Sequence, residues 1–283
     1  MNAEDKFVAA ILDDLSTNKL ELPTLPEIAL KVRQMVDDPT IPATKLAKMI
    51  STDAALSARL IQVANSVFFR GLNSVENVRT AVVRLGGVCV RNVVSSLVMS
   101  QIYQAKKMGA IKKDLLHLWV HGTRVAAISN VLAKRYTNLN PDEAMLAGLV
   151  HDIGTLPILN KAVKFPDILE DRAALYRVID RLHPEIGQLI MEEWGFPPEL
   201  VKVAAEHERL DRDTGGPPDF VDVVMIANLH SYTGQTRNKF SDIDWNNIPA
   251  FQKLGLSAEE SIKAMVEAQG EIAEVQKLIS GKS

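Results

Sequence analysis

Residues 140–154 read Asn140-Pro141-Asp142-Glu143-Ala144-Met145-Leu146-Ala147-Gly148-Leu149-Val150-His151-Asp152-Ile153-Gly154. Asn140 is a helix cap, Pro141 takes the first helical position, and Glu143 supplies an acid three residues after the cap. The apolar run 144–150 then carries a histidine and an aspartate, His151 and Asp152, to the helix end, which is expected before Pro157. Consecutive helical positions differ by about a quarter turn, so both side chains can face one cavity. Imidazole and carboxylate suit borderline divalent metals. Three more histidines, His121, His183 and His207, stand far apart at points that also read as helical. Together they suggest a metal cage assembled from several helices of a bundle.

Outward from this segment, apolar residues recur three and four apart through nearly the whole chain, and alternating runs bounded by hairpin turns are absent. The fold class is therefore all-α. Thr24, before Pro26 and Glu27, is expected to start a helix ending near Asp37-Asp38-Pro39; a second passes through Leu46 to Ile50, and Asp53 caps a third reaching Asn65. Residues 88–102, after Gly86-Gly87, predict a long central helix buried on several sides. Residues 115–136 predict another. Pro184 is expected to open a helix directly after His183 and Gly195 to close it after Trp194, with Pro197-Pro198 beginning the segment that ends in His207. Residues 211–218 form the clearest loop, a helix follows around 221–230, and Ser257 with Glu260 caps a final amphipathic helix. The composition change around Lys106 to Asp114, with Gly109 as a breaker, divides the chain. The expected parts are an amino-terminal helical bundle (1–110), a second bundle with the candidate site (111–230), and a carboxy-terminal extension packing on it (231–283).

Hydrophobic content of 47% with 24% charged and 5% aromatic residues describes an ordinary globular protein with ample chain for a core. No charged-then-apolar leader and no bilayer-length apolar run is evident, so a cytoplasmic location is expected, with no membrane contact. The single cysteine, Cys89, cannot pair within the chain and reads as a small core residue. A net charge of −3 gives no overall attraction to nucleic acid. Lys106, Lys107, Lys112 and Lys113 form one local cluster, read as a solvated helix end.

His151-Asp152-Ile153-Gly154, with His121 before it and His183-Pro184-Glu185-Ile186-Gly187 and Glu206-His207-Glu208 after it, resembles the HD superfamily of metal-dependent phosphohydrolases, and in particular its HD-GYP branch. The front of the chain narrows this. Leu22-Pro23-Thr24-Leu25-Pro26, residues 50–56, Val63-Ala64-Asn65-Ser66 and residues 81–86 resemble the HDOD domain, the HD-related output domain of bacterial signalling proteins, over roughly residues 18 to 230. The resemblance implies metal-ligand positions at His121, His151 and Asp152, with Asp152 bridging where two ions are present. It places His183 and His207 where HD-GYP relatives hold the second metal, and the last ligand position at Asn228.

The chain departs from the family's pattern at three places. Asn228 stands where the superfamily has an aspartate, a neutral and weaker donor. Thr155 stands where hydrolases carry a lysine, and it cannot place positive charge against a reacting phosphoryl group. Glu208 follows His207 where a second histidine is usual; a glutamate can also bind metal. With Asp152 as the one firm carboxylate, two divalent ions would leave excess charge, so one ion, or none, is expected. A mostly imidazole set suits iron, manganese, zinc or nickel. The implied function is a bacterial signalling module acting through a protein partner or a small nucleotide-like ligand, with little or no hydrolase activity. The alternative is a phosphohydrolase acting on a nucleotide or cyclic dinucleotide, with Asp152 as its essential carboxylate.

Other conspicuous residues read as structure. His117 shares the helix face of His121 and is expected beside the site rather than in it. Asn65-Ser66 is expected to cap the turn into Phe68-Phe69, Phe68, Phe69 and Trp194 to pack, and Arg59, Arg84 and Arg91 to form solvent-facing ion pairs.

Overall fold

The computed structural model describes residues 2–66, 69, 71–103, 109–233, 240 and 243–280. Every regular element among them is helical. The first five helices are α1 (Ala3–Ser16), α2 (Glu27–Asp37), α3 (Ala43–Ile50), α4 (Ala54–Ala64) and α5 (Val78–Tyr103). Next come α6 (Lys112–Tyr136), α7 (Pro141–Val150), α8 (Thr155–Ala162), α9 (Pro166–Glu170), α10 (Arg172–Glu193), α11 (Pro198–Glu206) and α12 (Phe220–Ser231). The chain closes with α13 (Pro249–Lys253), α14 (Ala258–Glu267) and α15 (Gln269–Ser280).

Local chemistry accounts for most helix ends. The Asn140 and Asp53 side chains each accept two backbone N–H bonds at the starts of α7 and α4. Ser257 and Glu260 form a reciprocal capping box, but the apolar run behind them divides into α14 and α15 at Ala268. Gly195, at φ 64°, ends α10: its N–H donates to Glu192 and that of Phe196 to Met191, the paired bonds of a glycine-terminated helix.

Some ends differ from expectation. Thr24 lies outside α2, whose cap position is Pro26. The helix expected from residue 88 begins at Val78 and bends at Gly86 (φ 75°, ψ 163°), which only glycine adopts readily. α7 stops at Val150, before Pro157 as expected, and Pro157 sits in the first turn of the next helix, α8, where its missing N–H costs nothing. Pro184, by contrast, opens no helix. It lies inside the 22-residue α10, so His183 is mid-helix rather than at a helix start.

Two apolar cores result. Val32, Ile50, Leu60, Val63 and Val90 centre one on α2–α5. The larger one gathers α6–α12 with α13 and α15, and also takes Phe7 and Ile11 of α1 and Met99 and Tyr103 from the end of α5. By length and composition α5 could cross a membrane, yet 61% of its most apolar window is buried, so packing accounts for its apolarity. Cys89 is buried there as expected, and Phe69 packs on the same core. Trp194 is buried and its indole N–H donates to the Pro23 carbonyl.

The three arginines are not solvent-facing ion pairs. Arg91, 13% exposed, joins Asp37 of α2 to Glu143 of α7. Arg84 donates to the Ala64 and Asn73 carbonyls, and Arg59 to Gln62 and the Ile279 carbonyl. Asn65 does not cap the next turn but clamps Val75 through both its N–H and C=O. Phe68, Lys106 and Lys107 lie outside the described residues.

Candidate metal centre

Four segments converge: His121 from α6, His151-Asp152 from the turn after α7, His183 from the middle of α10, and His207-Glu208 just past α11. Two glycines let them approach. A Cβ on Gly148 would lie 2.9 Å from Ala126 Cα, so only glycine lets α7 press against α6. One on Gly154 would lie 2.0 Å from the His183 carbonyl and 2.5 Å from the Gly187 nitrogen. The turn carrying Asp152 therefore rests directly on the backbone of α10, and Gly187 forms the other side of that crossing.

Three rings are oriented by their own helices. His151 Nδ1 lies 2.7 Å from the Gly148 carbonyl, His183 Nδ1 2.8 Å from Ile179 and His207 Nδ1 2.9 Å from Val203. These partners are three or four residues back, the direction in which a helical side chain leans. A carbonyl only accepts, so each neutral ring keeps its proton on Nδ1 and turns the Nε2 lone pair inward. His121 is held from another helix: Ser231 Oγ stands 3.3 Å from its Nδ1 and donates to the Asn228 carbonyl at 2.6 Å.

The inward nitrogens form two pairs around Asp152. His121 and His151 Nε2 are 3.1 Å apart, and lie 3.4 and 3.3 Å from Asp152 Oδ2. His183 and His207 Nε2 are 3.4 Å apart, and lie 3.4 and 3.3 Å from Asp152 Oδ1. Donors about 2.1 Å from one ion stand at most about 4.2 Å apart, and spacings of this size correspond to angles of about 95–110° at the ion. Lone pairs facing one another so closely repel unless a cation or proton lies between them. The donor set thus fits a transition metal, held by His121, His151 and Asp152 on one side and by His183, His207 and Asp152 on the other. Burial pushes the Asp152 carboxyl up, but positive charge at His151 and His183 and N–H donation from His151 and His207 outweigh it and hold it well below the ordinary carboxylate range; a cation among neutral rings would act in the same direction.

Every histidine and aspartate expected as a ligand is therefore in the cluster. Asn228 is 2% exposed on α12, and its buried amide oxygen has no hydrogen-bond partner among the described residues. Glu208, which the sequence left open, turns inward: its Oε1 is 3.9 Å from His183 Nε2 and 3.8 Å from His207 Nε2. Its one signal in the sequence was adjacency to His207. Arg212, in the expected loop, was missed. Its guanidinium is 8% exposed and bonds Glu206, Asp219 and Asp222, tying the end of α11 beneath His207 to the start of α12.

A cleft of about 110 Å³ opens onto the cluster between His117, Thr155, Tyr176 and Tyr232. His117 lines it as a neighbour of the cluster. No lysine or arginine among the described residues lines it.

Sequence and fold together define an HD-type helical scaffold. The HDOD family model matches residues 22–210, and the chain belongs to the HDOD family. A candidate metal-dependent phosphohydrolase from Shewanella amazonensis SB2B is 28% identical, with a TM-score of 0.79 over 99% of both chains. An HDOD domain protein of unknown function from Geobacter sulfurreducens is 21% identical, with a TM-score of 0.67 over 97% of both chains. A curated protein of Treponema pallidum (strain Nichols) is 23% identical over 79% of this chain, which spans only 44% of that relative's length.

Proposed function

We propose that this chain is an HDOD regulatory module built around a divalent transition-metal centre, acting through a protein partner or a small nucleotide-like ligand, with little or no hydrolysis. One observation carries the reading: four imidazoles, each Nδ1 facing a carbonyl or hydroxyl oxygen, turn Nε2 toward a single, partly buried carboxylate, Asp152. Such anchoring of the far ring nitrogen is what metal-bound histidines require. Weak turnover fits Thr155 in place of lysine and a cleft in which none of the described lining residues is a lysine or arginine, so none of those residues offers a counter-charge to a reacting phosphoryl group. The bound metal would supply Lewis acidity there, while Thr155, Tyr176 and His117 offer hydrogen bonds to an entering group. At about 110 Å³ the cleft admits a phosphate-sized group, well below the ~300 Å³ lower bound of ordinary small-molecule pockets.

Metal analysis of the purified protein, followed by a hydrolysis screen with manganese or iron supplied, tests this. Bound metal that is lost in Asp152→Ala, with no turnover of nucleotides or cyclic dinucleotides, is expected. A protein that binds no metal under any loading refutes it. The second reading, a metal-dependent phosphohydrolase acting on a nucleotide or cyclic dinucleotide, is favoured by the cleft's direct opening onto Asp152 and by the Shewanella relative. Turnover abolished by Asp152→Ala would establish it.

A further inference from the structure

We infer that the two halves of the centre differ in strength and that the half containing Glu208 takes the first ion. This rests on the metal-holding reading above and adds which residues hold the metal.

The halves share Asp152, one oxygen each, and have matching imidazole pairs. They differ in what completes them. Beside His183 and His207 stands Glu208 Oε1, 3.9 and 3.8 Å away, inside the ~4.2 Å limit for donors sharing an ion. That half holds two imidazoles and two carboxylates, with all four donor atoms within 4.8 Å of one another. Its formal charge of about −2 balances one divalent ion. Beside His121 and His151, Asp152 is the only carboxylate grouped with them among the described residues, and Asn228, on the helix whose Ser231 meets His121, has only a neutral amide to offer. An amide oxygen brings a dipole but no charge, so among the described residues the shared carboxylate is the one charged donor grouped with a divalent ion there. Once the first half is filled, Asp152 is already partly neutralised, and a second ion would enter an under-compensated pocket. The surroundings support the same order. Arg212 holds Glu206, two residues before Glu208, and so fixes the segment that presents the extra carboxylate. The charge difference makes the centre a one-ion site at low metal, with His121 and His151 left to a second, weakly held ion or to a ligand group entering from the cleft.

Manganese alone is the probe, with equilibrium dialysis for affinity and anomalous diffraction from crystals loaded with one equivalent for position. The first manganese is expected between His183 and His207. Glu208→Gln should weaken it on the order of 100-fold, since even indirect partners of ligands are worth 10–100-fold. Asn228→Asp should tighten the second equivalent at least ~10-fold with the first unchanged. Melting curves for both variants separate ligand loss from misfolding. A first ion found between His121 and His151, or a first affinity untouched by a folded Glu208→Gln protein, overturns this inference and leaves the metal-binding reading intact. No manganese on the wild-type protein, or binding unaffected by Asp152→Ala, overturns both.

Discussion

The crossing of the Asp152 turn over α10 is the point where one methyl group should disturb both stability and the centre. In Gly154→Ala the new Cβ would lie 2.0 Å from the His183 carbonyl oxygen and 2.5 Å from the Gly187 nitrogen. A carbon and a carbonyl oxygen touch at about 3.3 Å, so the crossing must widen by about 1.3 Å. Both obstructing atoms are helix backbone, which no rotamer change relieves. Overpacking of this sort costs about 1–3 kcal/mol, and the upper end applies. Against it stands the gain of alanine over glycine, at most about 1 kcal/mol, because Gly154 has ordinary helical angles (φ −65°, ψ −15°). The net expectation is a loss of about 2 kcal/mol in urea unfolding. Because the same movement draws Asp152 Oδ1 away from His183 Nε2, manganese affinity should also fall about tenfold or more. Gly270→Ala is the control: it lies in α15 with nothing within 4 Å of the added methyl, and should gain about 0.5–1 kcal/mol. A Gly154→Ala protein within about 0.5 kcal/mol of wild type, with Gly270→Ala behaving as expected, would refute the claim that backbone contact at this crossing holds the centre together.

Three further outcomes follow from buried groups. His230, packed on Trp245 and Phe251 and bonded to Ser261 Oγ, is held down at about 4 by burial and then by the Arg124 charge. A depressed folded value means the unfolded chain takes a proton that the folded one refuses. Stability should therefore be intact above about pH 6.5 and decline towards pH 4 by up to about 3 kcal/mol, and His230→Gln should flatten that part of the urea-unfolding profile; an unchanged slope would contradict it. Arg212→Ala leaves Asp222 fully buried beside Asp219 with Lys253 as its one remaining cation among the described residues, and should cost about 3–5 kcal/mol, whereas a loss under about 1 kcal/mol by denaturant titration would show that the network is dispensable. The Cys89 thiol is pushed up to about 12 by burial and by Asp142, so a thiol reagent at pH 8 should label it no faster than the protein opens. Rapid labelling of native protein would contradict its place in the core.

What was legible in the sequence was what short segments decide alone. Asn140, Asp53 and the Ser257–Glu260 pair cap their helices because a side chain reaches a backbone N–H two or three residues on, whatever the rest of the chain does. Gly195 ends α10 for an equally local reason. Pro184 was misread because a helix-interior proline costs about 3 kcal/mol locally, and here tertiary packing carries it: Leu182, His183, Ile186 and Ile190, on either side of it, are all buried. Arg91, Arg212 and Asn65 were misjudged or missed because their partners lie 52 or 54, up to 10, and 10 residues away. No local pattern encodes those distances.

The centre divides along the same line. The aim of three rings is local, since each Nδ1 meets a carbonyl one turn back on its own segment. Their convergence is not. It depends on Gly148 against α6 and Gly154 against α10, contacts between segments that do not adjoin in sequence. Charge is decided at that same level. Glu208 adds a carboxylate only because the turn after α11 swings it toward His183, a residue 25 positions earlier in the sequence that belongs to a different helix. The neutral amide at 228 and the inward glutamate at 208 are separate features of the sequence. On the inference drawn above, the extra negative charge then stands beside His183 and His207 rather than beside His121 and His151.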